Sequence, residues 1–262
     1  MPPELDHLSH SSIALYQACA RAWKFKYLDG LRGAKTPELA FGTAFHNAVE
    51  AFLVNKTLGI FEHSLIDLWL AAWHREAAEG EIEWGLDTPE PYTNDGVRIL
   101  GHPDVLNQLN GLAIRCDAQG PMIERKIELR VPGVPIPVIG YIDAVQSDGT
   151  PLDFKTSAKS WTPDKAAGEM QSLYYLAALN QAGDHSHNWT FTHLVFVKTR
   201  TPQVQMYTHM HRPGEVFWLF DMIQAVWQGI TAGVFPPNPT SWRCSPRFCD
   251  GWTQCRGKYA GG

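Results

Sequence analysis

The chain has 262 residues, 44% of them hydrophobic, which is enough to bury a substantial core and within reach of one elaborated domain. No uncharged apolar run reaches the ~18 residues of a membrane span, and the N-terminal MPPELDHLSHSS has neither a basic start nor an apolar centre, so a soluble, cytoplasmic protein without a leader is expected. A net charge of -5 and a pI near 6.1 weigh mildly against a polyanionic partner, because binding to phosphates is driven largely by Lys and Arg.

In chain order, Ser11 to Leu28 carries Tyr16, Cys19, Trp23 and Tyr27 at three- and four-residue spacing, which predicts a helix with one aromatic face. It opens a locally basic stretch, Arg21, Lys24, Lys26, Arg32 and Lys35 against the single acid Asp29; Arg243, Arg247, Arg256 and Lys258 form a second such stretch near the C-terminus. A second helix is predicted from Glu38 to about Lys56, with Phe41, Phe45, Ala48, Val49 and Phe52 inward, and a third from His63 to Ala78. From Trp84 to Gly120 the periodicity weakens, and short helices and loops are expected. Met122 to Val131, Ile136 to Gln146 and Pro151 to Thr156 then read as three strands separated by turn signals. A helix over Thr162 to Ala182, strands at Trp189 to Thr199 and Val204 to His211, a helix from Gly214 to Gly233 and a Cys-containing tail complete the pattern. The expected architecture is an α/β core wrapped by N-terminal helices. It is expected as one domain over 1–262, divided into a mainly helical part (1–120), an α/β core (121–212) and a helix with a Cys-rich tail (213–262).

The stretch richest in chemistry is Gly140-Tyr141-Ile142-Asp143, a turn at Ser147-Asp148-Gly149, and Leu152-Asp153-Phe154-Lys155-Thr156. Residues two apart on a strand share a face, so Asp153 and Lys155 point the same way while Phe154 packs behind, and a hairpin brings Asp143 alongside Asp153. Two carboxylates in one small volume repel unless a hard divalent cation lies between them, which points to Mg or Mn. Such a cation activates water and neutralises charge on phosphate oxygens, and a neighbouring Lys155 adds positive charge at the transition state. His46, a polar ring on an otherwise apolar helix, is a candidate nitrogen ligand; Gln171 and Tyr175, four apart, lie on one helical face from which they reach DNA or Lys155.

The order His46, Gly-Tyr-Ile-Asp143, Asp153-Phe-Lys155 and Gln171-x-x-x-Tyr175 resembles the RecB-like branch of the PD-(D/E)XK nuclease superfamily, and the likeness runs from the Ser-Ser-Ile-Ala-Leu-Tyr-Gln-Ala-Cys helix to the tail. The resemblance implies a restriction-endonuclease-like core, a central mixed sheet flanked by helices, and Mg- or Mn-dependent hydrolysis of DNA. It also implies an exonuclease acting on ends or single strands in recombination, repair or mobile-element processing, with protein partners in such a complex. It assigns metal ligation to His46, Asp143, Asp153 and the Phe154 carbonyl, catalysis to Asp143, Asp153 and Lys155, and a supporting or DNA-contacting role to Gln171 and Tyr175. Glu124, on the strand before, is a candidate accessory acid.

Five cysteines in an intracellular chain suggest metal chemistry before disulfides. Cys244, Cys249 and Cys255 crowd into the tail and need a fourth partner, for which Cys19 is the candidate. The same resemblance extends to iron-sulfur members of the branch, where one N-terminal and three C-terminal cysteines hold a 4Fe-4S cluster in a structural role; spacing alone leaves zinc as a competitor. Cys116 reads as a buried thiol. The pairs His185/His187 and His209/His211 lack carboxylate or Cys partners at metal-site spacing, and the absence of a Gly-x-x-x-x-Gly-Lys loop gives no support for ATP use. Trp161 is a candidate for stacking on an unpaired base. The competing functional readings are a non-catalytic iron-sulfur DNA-binding or scaffold subunit, and a zinc-dependent binding protein.

Overall fold

The computed structural model describes residues 5–260 and contains two compact units. One comprises 34–127 and 141–213; the other comprises residues up to 33, 128–140 and those from 214 onward.

In the larger unit, helix α3 (Pro37–Leu58) follows helices α1 and α2 of the other unit and has clear punctuation: Thr36 caps its start by accepting from the Leu39 N–H, Pro37 fills the first turn, and Gly59 ends it at φ 73°. Its inward face carries Ala40, Phe41, Ala44, Phe45, Ala48, Val49 and Leu53, all buried. These pack on α4 (Leu65–Glu79), where Trp69 and Trp73 stack with ring centroids 5.6 Å apart, and on α5 (Pro89–Leu100), which approaches through Gly96. A Cβ on Gly96 would sit 2.0 Å from the Trp69 ring, so only glycine allows that approach. Helix α6 (Pro103–Gly111) and a small ribbon, β1 (Cys116–Asp117) with β2 (Gly120–Pro121), lead into the sheet.

The five-stranded sheet has the order β3 (Ile123–Leu129), β4 (Val138–Val145), β5 (Pro151–Ser157), β6 (Thr190–Val197), β7 (Gln203–Met210). β4 and β5 are antiparallel through the Ser147–Gly149 turn, β5 and β6 parallel, and β6 and β7 antiparallel, so the sheet is mixed as expected. The parallel step requires a crossover, which α7 (Pro163–Ala167) and α8 (Gln171–Gln181) supply. The single helix expected over 162–182 is therefore two, the first stopping at Gly168. Every residue of β5 from Pro151 to Phe154 is buried, as is β6 from Phe191 to Val197, the pattern of strands covered on both faces.

In the smaller unit, the expected helix over 11–28 breaks at Cys19. That residue is extended (φ -167°, ψ 104°), ending α1 (His10–Ala18) and starting α2 (Ala20–Tyr27). The break suits its neighbours: Asn238 donates from its side chain to the Ala18 carbonyl and from its backbone N–H to Cys19 Sγ at 3.4 Å. Trp23 stacks on Phe235, and Tyr16 donates to the Val234 carbonyl beyond α9 (Glu215–Thr231). A π-helical turn (Thr253–Gly257) and a last short helical turn, α10 (Lys258–Ala260), end the described chain. Among the described residues, no helix is long and apolar enough to cross a membrane.

Candidate active site

Helix α3 turns its apolar stripe to the core and leaves His46 and Glu50, one turn apart, on the edge facing β3, β4 and β5. There they meet Asp143. Potential ligand atoms of His46, Glu50 and Asp143 all lie within 4.8 Å of one another, the single such His/Cys/Asp/Glu group among the described residues. His46 Nδ1 is 3.7 Å from Asp143 Oδ2. Burial, reinforced by the charge of Lys155, lowers the His46 pKa to about 4, so near neutral pH its ring is uncharged and carries a lone pair able to bind a cation. Asp143 is pushed well above the usual carboxylate range by burial and by the charge of Asp153, although the Phe154 N–H donates to its Oδ2 at 2.6 Å. Glu50 is raised to about 8 by burial and by Glu124, whose carboxyl it hydrogen-bonds. Protonated carboxyls packed together in this way release their protons when a divalent cation takes their place, and two oxygens with one nitrogen suit a hard or borderline ion.

Beside this trio, Asp153 is 1% exposed and both its oxygens are engaged: Lys155 Nζ donates to Oδ1 at 2.7 Å, and His193 Nδ1 lies 3.1 Å from Oδ2. Lys155 Nζ also donates to Gln171 Oε1 at 2.9 Å, and Gln171 Nε2 donates to the Tyr175 hydroxyl at 2.6 Å. Burial opposes the Lys155 charge, but Asp153, then Asp143 and Glu169, outweigh it and hold its pKa above the ordinary value. Lys155 is therefore a fixed positive charge. Asp153 stays ionised because Lys155 and the His193 hydrogen bond overcome its burial.

The structure thus brings His46, Asp143, Asp153, Lys155, Gln171 and Tyr175 together, with the Phe154 carbonyl beside the His46 ring. Glu124 lies across from Glu50 at a backbone φ of 50°, an uncommon conformation for a non-glycine residue. Glu50 and His193 were missed. His46-x-x-x-Glu50 has the i, i+4 spacing of one helical face, a legible signal; the His193 contact depends on which strand lies beside β5, and nothing local announces that. An open groove of about 570 Å³ runs over the trio, lined by Leu39, Thr43, Tyr141 and the carboxyls of Glu38 and Glu124 among others.

The family model described as PD-(D/E)XK nuclease superfamily matches residues 7–256. The chain belongs to that superfamily. Like other PD-(D/E)XK nucleases it is a phosphodiester hydrolase by family, and members of this superfamily usually use a divalent metal, for which the trio is an acidic candidate site. Among solved structures it is similar to a crystal structure described as "Putative exonuclease" from Eubacterium rectale: 11% identity, TM-score 0.54, covering 92% of this chain and 86% of that one. At that identity the likeness is one of fold, and it agrees with the mixed sheet flanked by helices. No curated protein matches the chain.

Two expectations are corrected. Trp161 is 8% exposed, packed with Val195 and Val197 under Lys165, so its ring is not open to a base. Cys116 is exposed, because it sits in the two-stranded ribbon outside the core. In the smaller unit, Cys19, Cys244, Cys249 and Cys255 line one cavity. Burial pushes the Cys249 thiol up, and the other three thiols add to the effect.

Proposed function

We propose that this PD-(D/E)XK nuclease is an Mg- or Mn-dependent deoxyribonuclease of the RecB-like branch, an exonuclease acting on DNA ends or single strands. The observation that carries the reading is the junction of two constellations where β4 lies beside β5: the His46–Glu50–Asp143 trio, built from α3 and β4, and the Asp153–Lys155–Gln171 chain, built from β5 and α8. His46, Glu50 and Asp143 would hold the cation, with Asp153 and the Phe154 carbonyl at its border. When bound, Mg or Mn supplies Lewis acidity toward phosphate oxygens and water.

The chain's own groups do the rest. Lys155, permanently charged and held by Asp153 and Gln171, places an ammonium where negative charge grows on the phosphate and on the attacking water. Tyr175 fixes the Gln171 amide so that its oxygen, not its nitrogen, faces the ammonium. The neutral His46 ring offers a lone pair instead of a repelling charge.

We further propose that the four cysteines hold a 4Fe-4S cluster in a structural role, tying residue 19 to the tail. Two observations support it. All four line one cavity, and no three of their sulfurs fall within 4.8 Å of one another. A closed tetrahedral zinc site, with Zn–S of about 2.3 Å, would bring its sulfurs to ~3.8 Å, whereas a larger cluster needs wider spacing. The whole chain is read as one nuclease domain of an intracellular protein serving recombination, repair or mobile-element processing.

The test is digestion of end-labelled single- and double-stranded DNA, linear and circular, with Mg or Mn, by anaerobically purified wild type, Asp143→Ala and Lys155→Ala. Cleavage that requires the metal, spares circles and is lost in both variants supports the reading. Variants that cut as well as wild type would remove the site, and brown protein against colourless protein separates iron-sulfur from zinc.

A further inference from the structure

We propose that His193 is a positioning residue of the hydrolytic site: by donating its Nδ1–H to Oδ2 of Asp153 it fixes the carboxylate that in turn holds Lys155. The inference rests on the reading that Asp153 and Lys155 serve hydrolysis, and it concerns a residue that no motif assigns.

β6 runs parallel to β5 with His193 paired to Asp153. His193 is fully buried, and its strand neighbours Phe191, Leu194 and Val195 are buried apolar residues. An imidazole at such a position has to account for two polar nitrogens. Asp153, ionised, can only accept, so Nδ1 at 3.1 Å carries the proton and Nε2 is left with the lone pair. Nε2 is buried and finds no hydrogen-bond partner among the described residues. An apolar side chain would avoid that unmet nitrogen, so packing alone does not explain a histidine here; the contact with Asp153 does.

The ring is also held in orientation. It stacks on His209 with centroids 5.4 Å apart and planes 15° from parallel, and it lies 5.0 Å from Phe191 and 5.7 Å from Trp161. A ring clamped on three sides delivers its N–H along one direction. With Lys155 on Oδ1 and His193 on Oδ2, the plane of the Asp153 carboxylate is determined. Remove the His193 donor, and the carboxylate keeps one partner and is free to turn about its last torsion. Lys155, anchored on it, loses its fixed place.

The decisive comparison is His193→Asn against His193→Gln. The asparagine amide nitrogen stands the same number of bonds from the backbone as Nδ1, and the glutamine nitrogen as Nε2, so Asn keeps the donor to Asp153 and Gln does not, while both remove the ring. Steady-state cleavage of DNA is measured beside Mn²⁺ binding without DNA, followed by electron paramagnetic resonance, and a thermal melt. Outer-shell partners of this kind typically contribute ~10–100-fold, so His193→Gln is expected to lose kcat by about that factor with KM for DNA unchanged and to weaken Mn²⁺ binding, while His193→Asn stays within about threefold of wild type. Equal kcat and equal Mn²⁺ affinity in the two variants would overturn the proposal, because the effect would then follow the missing ring and not the donor. Asp153→Ala and Lys155→Ala are run alongside. If they cut like wild type, the hydrolytic reading of that pair falls and takes this inference with it. Inactive Asp153→Ala beside a wild-type-like His193→Gln sinks the positioning role alone.

Discussion

Glu50 gives the sharpest handle on the site, because it is a carboxyl that titrates near neutral pH. Its pKa of about 8, against an ordinary 4.5, arises from burial and from Glu124 across the groove. Two consequences follow, and their signs are fixed. A cation can be ligated only by the ionised carboxylate, so below about pH 8 each unit of acidification costs the site a proton to be released, about tenfold in apparent affinity. From about pH 8 to about pH 6, Mn²⁺ binding should weaken by at least roughly a hundredfold, since Asp143, also held above the usual carboxylate range by burial and Asp153, adds to the Glu50 effect. The second consequence concerns the metal-free fold. A folded pKa raised above the unfolded value means stability fully present below about pH 4.5 and lost as pH rises through about 8. The full displacement bounds the loss at roughly 5 kcal/mol; partial solvation of Glu50 and the share belonging to Glu124 reduce it to about 2 kcal/mol. Glu50→Gln abolishes that loss, so above about pH 8 in EDTA it should melt higher than wild type by roughly 5 °C while binding Mn²⁺ far more weakly. Calorimetric Mn²⁺ titrations across pH, in buffers of different ionisation enthalpy, read both affinity and protons released. A wild-type affinity flat between about pH 6 and about pH 8, or a Glu50→Gln variant no more stable than wild type in EDTA at high pH, would refute the argument.

Lys155→Ala should lower kcat by at least about a hundredfold and also lower the melting temperature, since it leaves the Asp153 charge, 1% exposed, with His193 alone; an unchanged melt would show that Asp153 is not charged there. Gly96→Ala should destabilise by about 2–3 kcal/mol through the clash with Trp69, seen as a lower urea midpoint, and leave kcat per folded molecule unchanged. Cys116, exposed, should be alkylated first in the native protein, and Cys116→Ser should keep both colour and cleavage. Cys249→Ser should lose the colour; a colourless wild type purified anaerobically would count against the cluster.

Much of the fold was legible because the long elements carry redundant signals. α3 has a Thr cap, a Pro, an apolar stripe and a closing Gly, and the central strands carry dense runs of Val, Ile, Leu and Phe. The misplaced breaks were at Cys19 and Gly168, where local periodicity continues through a residue whose backbone conformation is set by contacts or by a cap. The Asp153-x-Lys155 pair could be read from the strand's two-residue repeat, and Gln171 and Tyr175 from the helical four. The partners contributed by distant strands could not. His193 reaches Asp153 only because β6 inserts beside β5 after a crossover, a fact of sheet order with no local pattern. Cys116 and Trp161 erred in opposite directions for one reason: exposure belongs to the packing of neighbours and not to the residue's own chemistry.

The charge balance, which weighs mildly against a polyanionic substrate, has a physical resolution in the groove. Four of the residues lining it, Glu38, Glu50, Glu124 and Asp143, are acidic, and none is Lys or Arg. Without a cation this surface offers phosphate carboxyls and no basic side chain, and Lys155, tied to Asp153 and Gln171, is the ammonium beside it. A net charge of -5 is therefore compatible with phosphodiester chemistry if affinity for substrate is conferred by the ion. The arrangement predicts an order of events that can be measured: DNA affinity at the site should rise with Mn²⁺ or a non-catalytic substitute such as Ca²⁺, and the increment should vanish in Asp143→Ala. Equal DNA affinity with and without divalent ions, at matched ionic strength, would mean that the acidic groove is not where phosphate is bound.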